Sequence, residues 1–310
     1  MTGGPPVLHA CGRELVLGPE PWLMGIVNAT PDSFSDAGLH QTLEERVGRA
    51  ATLISEGARL IDIGGESGVT NRPPVSPEEE IARVVPVIER VHDELGVPIS
   101  VDTYKPEVAR AAIAAGACLV NDVSGLRDPA LADVCAQTGA GLVLMHTRAR
   151  PKEKVLDRGY DGRIVADVWG FLAEKIEFAV ERGVAPAQLI LDPGPDFAKT
   201  PAQTIDVLGS LDGLAELGRP VLLAVSRKDF IGALTGRAPR ERLPGTLAAI
   251  GHGVDAGAHV LRVHDVAAVH DFLTVRGALR GDREVDPGLA LADTVRWQQG
   301  DQVSSDLTSR

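Results

Sequence analysis

Residues 59–102 read RLIDIGGESGVTNRPPVSPEEEIARVVPVIERVHDELGVPISVD, and the fold turns on this stretch. It opens on a short continuous apolar run ending at Gly64, the pattern of a strand buried on both faces in a parallel sheet. After a polar loop, Ser76-Pro77-Glu78-Glu79 predicts a helix start. Ser76 is the N-cap, Pro77 takes the first helical position and Glu79 closes a capping box. The helix is expected to stop at Gly96-Val97, because glycine takes the left-handed C-cap conformation without penalty. A second apolar run then begins at once and ends at Asp102. Strand, loop, capped helix, glycine turn and strand make one β-α-β unit.

The unit recurs in both directions. Apolar runs end at Val27, Gly64, Asp102, Asp122, His146, Asp192, Ser226 and His264. Thr200-Pro201-Ala202-Gln203 repeats the capping chemistry, and Lys105-Pro106 and Asp128-Pro129 again set proline at a helix start. Gly57-Ala58, Gly116-Ala117, Gly183-Val184 and Gly257-Ala258 stand before strands. Eight such units in roughly 250 residues predict an α/β protein, a single-domain (β/α)8 TIM barrel. A doubly wound open sheet fits less well, since no GxGxxG follows the first strand. Residues 8–18 alternate weakly about Gly12-Arg13 and predict a hairpin capping the barrel floor. The expected division is a barrel with that hairpin over 1–280 and a polar C-terminal tail over 281–310. The charged stretch 147–162 reads as a long loop on the functional face, either a lid or a solvated surface loop.

Composition narrows the function classes. Hydrophobic residues are 44% and charged residues 24%, enough for a sizeable core. Lys and Arg number 31 against 43 Asp and Glu, a net charge of −12, which argues against nucleic acid as a partner. Three Trp, two Tyr and six Phe are too few for a base-stacking platform. Cys11, Cys118 and Cys135 are an odd number without CxxC spacing, which predicts free thiols in a reducing compartment. The N-terminal segment lacks a basic region followed by an apolar one, and no run of 18 apolar residues occurs. A cytoplasmic protein with no membrane partner is the expectation. Neither HExxH nor GxSxG is present, so zinc-peptidase and serine-hydrolase chemistry lack support.

The strand ends carry the chemistry. In a barrel they converge on one mouth, where polar residues read as site residues. Here the ends offer Asn28, then Asp62 with Gly64-Gly65-Glu66-Ser67, Asp102, Asn121-Asp122, Met145-His146, Asp192, Ser226-Arg227-Lys228 and Arg262-Val263-His264. One Asp after a strand is usually a cap or turn former. So many on one face are costly to bury unless they meet a ligand or one another. Asp62, Asp102, Asn121 and Asp192 suit a ring bearing an amino group and a ring N–H. Lys228, Arg262 and His264 suit an anionic group such as phosphate. An internal ion-pair network is the structural alternative.

These residues lie in segments that resemble the dihydropteroate synthases, a family of pterin-binding barrels. The segments are MGIVNATPDSFSDAG (24–38), LIDIGGES (60–67), SVDTYKP (100–106), LVNDVSG (119–125), LDPG (191–194), SRKDFIG (226–232) and RVHDV (262–266). The likeness covers roughly residues 11–279, in order. It implies a transferase of folate biosynthesis, joining 6-hydroxymethyl-7,8-dihydropterin diphosphate to p-aminobenzoate with release of pyrophosphate. By position, Asp102, Asn121, Asp192 and Lys228 would hold the pterin. Asn28, Arg262 and His264 would hold the diphosphate, with Asn28 positioning Mg²⁺. Ser226 with Thr70 or Arg72 would frame p-aminobenzoate, and Asp62, Met145 and Phe197 complete the implied binding set. Lys228, Arg262 and Asp36 are the implied catalytic residues, Asp36 lying with Asp32 on a first loop that would close over the site. A homodimer is implied as well. A pterin-binding paralogue without synthase activity, or a methyltetrahydrofolate-dependent methyltransferase domain on the same barrel, are the competing functions.

The family wording is altered in places. Residues 66–74 are longer than the usual Glu-Ser-Thr-Arg-Pro-Gly, with Pro74 in place of the glycine. The usual Gly-Phe-Gly-Lys is Asp196-Phe197-Ala198-Lys199, a usual glycine is Ala224, and a usual serine is Asp229. The added carboxylate of Asp196 is expected to oppose that of p-aminobenzoate.

Overall fold

The computed structural model describes residues 5–30, 42–67, 73–153, 155, 156, 159, 160, 162–292 and 295. Two short strands, β1 (Val7–Ala10) and β2 (Arg13–Val16), precede the barrel. The barrel strands are β3 (Trp22–Asn28), β4 (Leu60–Gly64), β5 (Ile99–Asp102), β6 (Leu119–Asp122), β7 (Gly141–Met145), β8 (Leu189–Asp192), β9 (Leu222–Leu223) and β10 (Val260–Val263). All neighbours are parallel, in the order β8-β7-β6-β5-β4-β3-β10-β9. A single parallel bridge, Leu191 to Val221, joins β8 to the start of β9 and closes the ring. The expected barrel is therefore present.

Between the strands lie α1 (Leu43–Ser55), α2 (Pro77–Leu95), α3 (Pro106–Ala114), α4 (Ala130–Thr138), α5 (Ile164–Glu181), α6 (Pro201–Gly209), α7 (Asp229–Thr235) and α8 (Leu243–Asp255), with α9 (Val266–Arg280) following β10. Helix α2 buries Val84, Val87, Ile88 and Val91, the stripe expected at helical period. Its N-cap is Ser76, whose Oγ accepts from Glu79 N at 3.2 Å. The predicted capping box is only half made, because the Glu79 carboxylate turns to Arg83 one turn along. At α6 both halves form: Thr200 Oγ1 accepts from Gln203 N, and Gln203 Oε1 accepts from Thr200 N.

The seventh strand is shorter than the sequence implies. Only Leu222 and Leu223 pair as strand, and the chain leaves the ladder well before Ser226. Pro220 has no N–H to give to the sheet and contributes only its carbonyl, to Leu191 N at 2.9 Å.

The predicted hairpin is the β1–β2 pair, turning at Cys11 and Gly12 with φ of 49° and 75°. Positive φ at both turn residues matches the twist of the flanking strands. Leu8, Ala10, Leu15 and Leu17 point inward and pack with Met24, Leu60, Leu119, Val143, Ile190, Leu222 and Val260. These are bottom-end strand residues, so the hairpin closes the floor. Cys11 N donates to Gly139 O at 2.7 Å and ties the turn to the end of α4. Cys11, Cys118 and Cys135 are all free thiols.

Met1–Asp271 forms one compact unit, and Phe272–Arg310 forms a second. Within the second, the last turns of α9 lead to Gly281, and Arg283 donates to Thr274 at 3.3 Å. Among the described residues no helix is long and apolar enough to cross a membrane.

Candidate active site

At the mouth, four strands deliver one connected cluster. Arg262 from β10 donates through Nε to Asp62 Oδ2 of β4 and through Nη2 to Asp102 Oδ2 of β5, both at 2.7 Å. Asn121 of β6 donates to the same Asp62 oxygen at 3.1 Å. Burial works against the charge on Arg262, but Asp62 and Asp102 outweigh it and hold the guanidinium above its ordinary value. Burial also lifts the Asp102 carboxyl to about 7, against the pull of Arg262.

The Asp62 side chain is fully buried, and its Oδ2 is shared by Arg262 and Asn121. Its second oxygen, Oδ1, and Ser100 Oγ on the neighbouring strand have no partner among the described residues. The ion-pair network weighed from the sequence thus exists, and it is part of the mouth.

A second group surrounds Asp192 at the end of β8. Asp192 Oδ1 accepts from Gly194 N at 2.7 Å, and burial raises its carboxyl above the usual range. Lys228, at the start of α7, sets its Nζ 4.3 Å from the centre of the Phe197 ring. Burial lowers the Lys228 ammonium below its ordinary value. Met145 is buried at the end of β7, beside Gly194. Gly194 has φ of +64°, and a Cβ there would fall 2.1 Å from His146 O, so glycine alone fits.

Ser226 and His264 meet across the mouth. Ser226 Oγ accepts from His264 N at 3.2 Å and lies 2.9 Å from His264 Nδ1, to which its hydroxyl can donate. That bond leaves the ring proton on Nε2. Burial, with Arg262 and Arg227 nearby, pushes the imidazole down to about 4. His264 is therefore neutral at pH 7 and offers an anion a hydrogen bond, not the positive charge expected from the sequence. Arg227 turns away to pair with Asp265. Asn28 is exposed at the top of β3. Asp32, Asp36, Thr70 and Arg72 lie outside the described residues.

The altered family positions also resolve. Asp196 Oδ1 accepts from Thr204 Oγ1 at 3.1 Å, and its Oδ2 accepts from Phe230 N at 3.2 Å. Both oxygens are thus engaged in joining α6 and α7. Asp229 is exposed and pairs with Arg242 at 2.9 Å. Ala224 is buried in the core.

Two clusters join strand-end residues to lysines that the strand-end pattern does not include. Lys105 bonds both Glu66 and Glu80, and Lys152 from the charged 147–162 stretch reaches Glu66 Oε1 at 3.4 Å. The second is Lys199 with His146, described below. Their lysines are spaced from their partners by 25 to 86 residues, so only the folded chain brings them together.

Residues 24–264 match the family described as pterin binding enzyme. The dihydropteroate synthase of Bacillus subtilis is 44% identical over 85% of this chain and 90% of its own length. That of Escherichia coli K12 is 39% identical over 89% of this chain and 98% of its own. A structure of the Xanthomonas albilineans dihydropteroate synthase with 4-aminobenzoic acid superposes with a TM-score of 0.82 at 46% identity, covering 89% of this chain and 98% of that one. The same enzyme with 7,8-dihydropteroate gives 0.79 at 47% identity, covering 89% and 99%. With an eight-stranded barrel whose mouth gathers acceptors and cations in the matched segments, the chain belongs to the dihydropteroate synthase family of pterin-binding enzymes.

Proposed function

We propose that the chain condenses 6-hydroxymethyl-7,8-dihydropterin diphosphate with p-aminobenzoate to 7,8-dihydropteroate and pyrophosphate. The observation that carries this reading is the joining of acceptors Asp102, Asn121 and Asp192 to cations Lys228 and Arg262 in one mouth. A flat ring with adjacent amino and N–H donors suits the Asp192 carboxylate, and Lys228 donates to the ring's oxygen and nitrogen. Asn121 and Asp102 flank the same space. Arg262 and the His264 Nε2–H face the diphosphate, and Phe197 with Ser226 frames the arylamine.

In the reaction the methylene C–O bond breaks with its electron pair going to pyrophosphate, leaving a cation spread over the electron-rich dihydropterin. Arg262 and Lys228 stabilise charge on the leaving oxygens. The arylamine nitrogen then forms the C–N bond and releases a proton, so no activated protein nucleophile is required. We assign Asp36 to this step on the family resemblance alone.

Mg²⁺ is proposed as cofactor. Among the described residues no group of three or more His, Cys, Asp or Glu could hold a metal. The exposed amide oxygen of Asn28 is a single hard donor, which suits Mg²⁺, an ion that keeps several waters and binds through substrate phosphates. When bound, the ion neutralises charge on the leaving pyrophosphate. We also propose a homodimer in the cytoplasm. Exposed Ile205 on α6 and Leu234 on α7 support the first, and the three free thiols the second.

The test is pyrophosphate release with both substrates and Mg²⁺. Release that depends on p-aminobenzoate supports the synthase. Pterin binding without release would instead make the chain a non-synthase paralogue.

A further inference from the structure

The loop 193–199 is built against its own backbone preferences. Gly194, Asp196 and Ala198 have φ of 64°, 65° and 51°, and two of these are not glycine. An L-residue in the left-handed region brings its Cβ against the carbonyl, so Asp196 and Ala198 strain the loop. Asp196 is compensated by its bonds to Thr204 and Phe230. Ala198 has only a methyl side chain, and its carbonyl accepts from Tyr160 Oη at 3.2 Å.

Lys199 adds a further support from beneath. Its side chain is 1% exposed, and its Nζ turns back under the loop. There it lies 2.8 Å from Gly194 O, 3.2 Å from Phe197 O and 2.7 Å from His146 Nδ1. His146 Nε2 lies 3.2 Å from Asp167 Oδ2, a carboxylate that also pairs with Arg148. The carboxylate takes the imidazole N–H and leaves Nδ1 as an acceptor, so lysine is the donor. Burial, and Lys199 beside it, push His146 down to about 3, which keeps that ring neutral.

This loop carries Phe197, whose ring lies under the Lys228 ammonium. Asp192 has its backbone set by its place in β8 and by His146 N donating to its carbonyl at 2.9 Å, and its Oδ1 touches the loop only through Gly194 N at 2.7 Å. Phe197, carried wholly by the loop, therefore depends on Lys199 more than does Asp192, whose backbone the strand sets.

We propose that Lys199 is a positioning residue for p-aminobenzoate, acting through the carbonyls of Gly194 and Phe197 to hold the Phe197 ring in place. The assignment of a substrate to that ring rests on the synthase reading. The dependence of the loop on Lys199 does not.

The charged form of Lys199 is the one that grips. Asp192 from β8, Asp167 from α5, Asp196 from the loop, Lys228 at α7 and the neutral His146 at the end of β7 face it. Burial leads, and the ammonium is pushed down to about 7. Above that pH the amine loses the charge that strengthens its bonds to the carbonyls, and the loop loosens.

The experiment compares wild type with Lys199→Met, which keeps length and removes the donors. Hydrogen exchange is read at the Gly194 and Phe197 amides, and steady-state kinetics are run from pH 6 to 9. Expected are at least tenfold faster exchange at both amides in the variant and a KM for p-aminobenzoate raised about tenfold or more. The KM for the pterin diphosphate should stay within about threefold and kcat within about threefold. In wild type the KM for p-aminobenzoate should climb above pH 7, and in the variant it should be flat. Unchanged exchange overturns the role of Lys199 whether or not the protein turns over. Changed exchange with both KM values raised equally, or with no pH difference between the two proteins, overturns the link to p-aminobenzoate. Should Lys199→Met not fold, a wild-type KM for p-aminobenzoate that is constant across pH 7 overturns the proposal. A wild type with no pyrophosphate release but fast exchange in the variant retires the synthase reading and leaves the loop support standing.

Discussion

Replacing Asp62 separates the support of the mouth from its contacts. In Asp62→Ala, Arg262 Nε and Asn121 Nδ2 both lose the oxygen they share at 2.7 Å and 3.1 Å. Both bonds are to a carboxylate, and a hydrogen bond to a charged group contributes about 1.5–3 kcal/mol. Arg262 keeps Asp102 through Nη2 and is 22% exposed, so solvent relieves part of its loss. The sum, after that relief, is about 3–5 kcal/mol of folding stability. Asp62→Asn retains an acceptor of the same shape and loses only the charge, at a cost of about 1–2 kcal/mol. A freed Asn121 must be ordered again by the ligand, at about 0.5–1.5 kcal/mol, which weakens a bare hydroxymethyl pterin roughly 2- to 13-fold in Asp62→Ala. Urea denaturation gives the stabilities and calorimetry gives the affinity. If Asp62→Asn is as damaging as Asp62→Ala, or if Asp62→Ala binds the bare pterin as tightly as wild type, Asp62 is not the support described.

Three further outcomes follow from the geometry. Arg262→Ala should weaken the diphosphate substrate more than bare hydroxymethyl pterin, by roughly ten- to a hundredfold for about 1.5–3 kcal/mol of charge-assisted bonding; equal loss for both in calorimetry would remove Arg262 from the diphosphate. Asp196→Ala should cost about 1–2 kcal/mol in urea denaturation, because Phe230 N and Thr204 lose their acceptor, and should not lower the KM for p-aminobenzoate; a lower KM would restore the carboxylate to the pocket. His146 is held near 3 in the fold against about 6.5 unfolded, so below pH 6.5 only the unfolded chain takes up this proton and stability falls. Its share of the loss between pH 6.5 and 5 is about 2 kcal/mol, measured as the difference in pH dependence of urea midpoints between wild type and His146→Asn; parallel curves would refute it.

The barrel was legible because its signals are local. Ser76, Thr200 and the glycine before each strand act within a few residues, and each does in the structure what its neighbours imply, apart from the Glu79 carboxylate. The site was legible as a set and less so residue by residue. Position on a strand told that Asp62 lies at the mouth end, but not that an arginine 200 residues away occupies its carboxylate. His264 was read as a cation from its identity, and its neutrality comes from burial that no local pattern records. Lys199 stood inside a quoted segment and went unread, since its partner His146 lies 53 residues away and the loop that folds Gly194 back over it is set by tertiary packing.

The hairpin at the bottom of the barrel has a consequence for traffic. Leu8, Ala10, Leu15 and Leu17 stop the lower end with packed hydrocarbon, while Asn121 and Asp192 lie almost wholly below the surface. A molecule seated on those two groups came in from above and has to go back the same way. On the proposed placement, with the arylamine framed nearer the loops, a second occupant would stopper the first, and the two would arrive in a fixed sequence and depart in the reverse one. A joined product must be drawn out whole, arylamine end first.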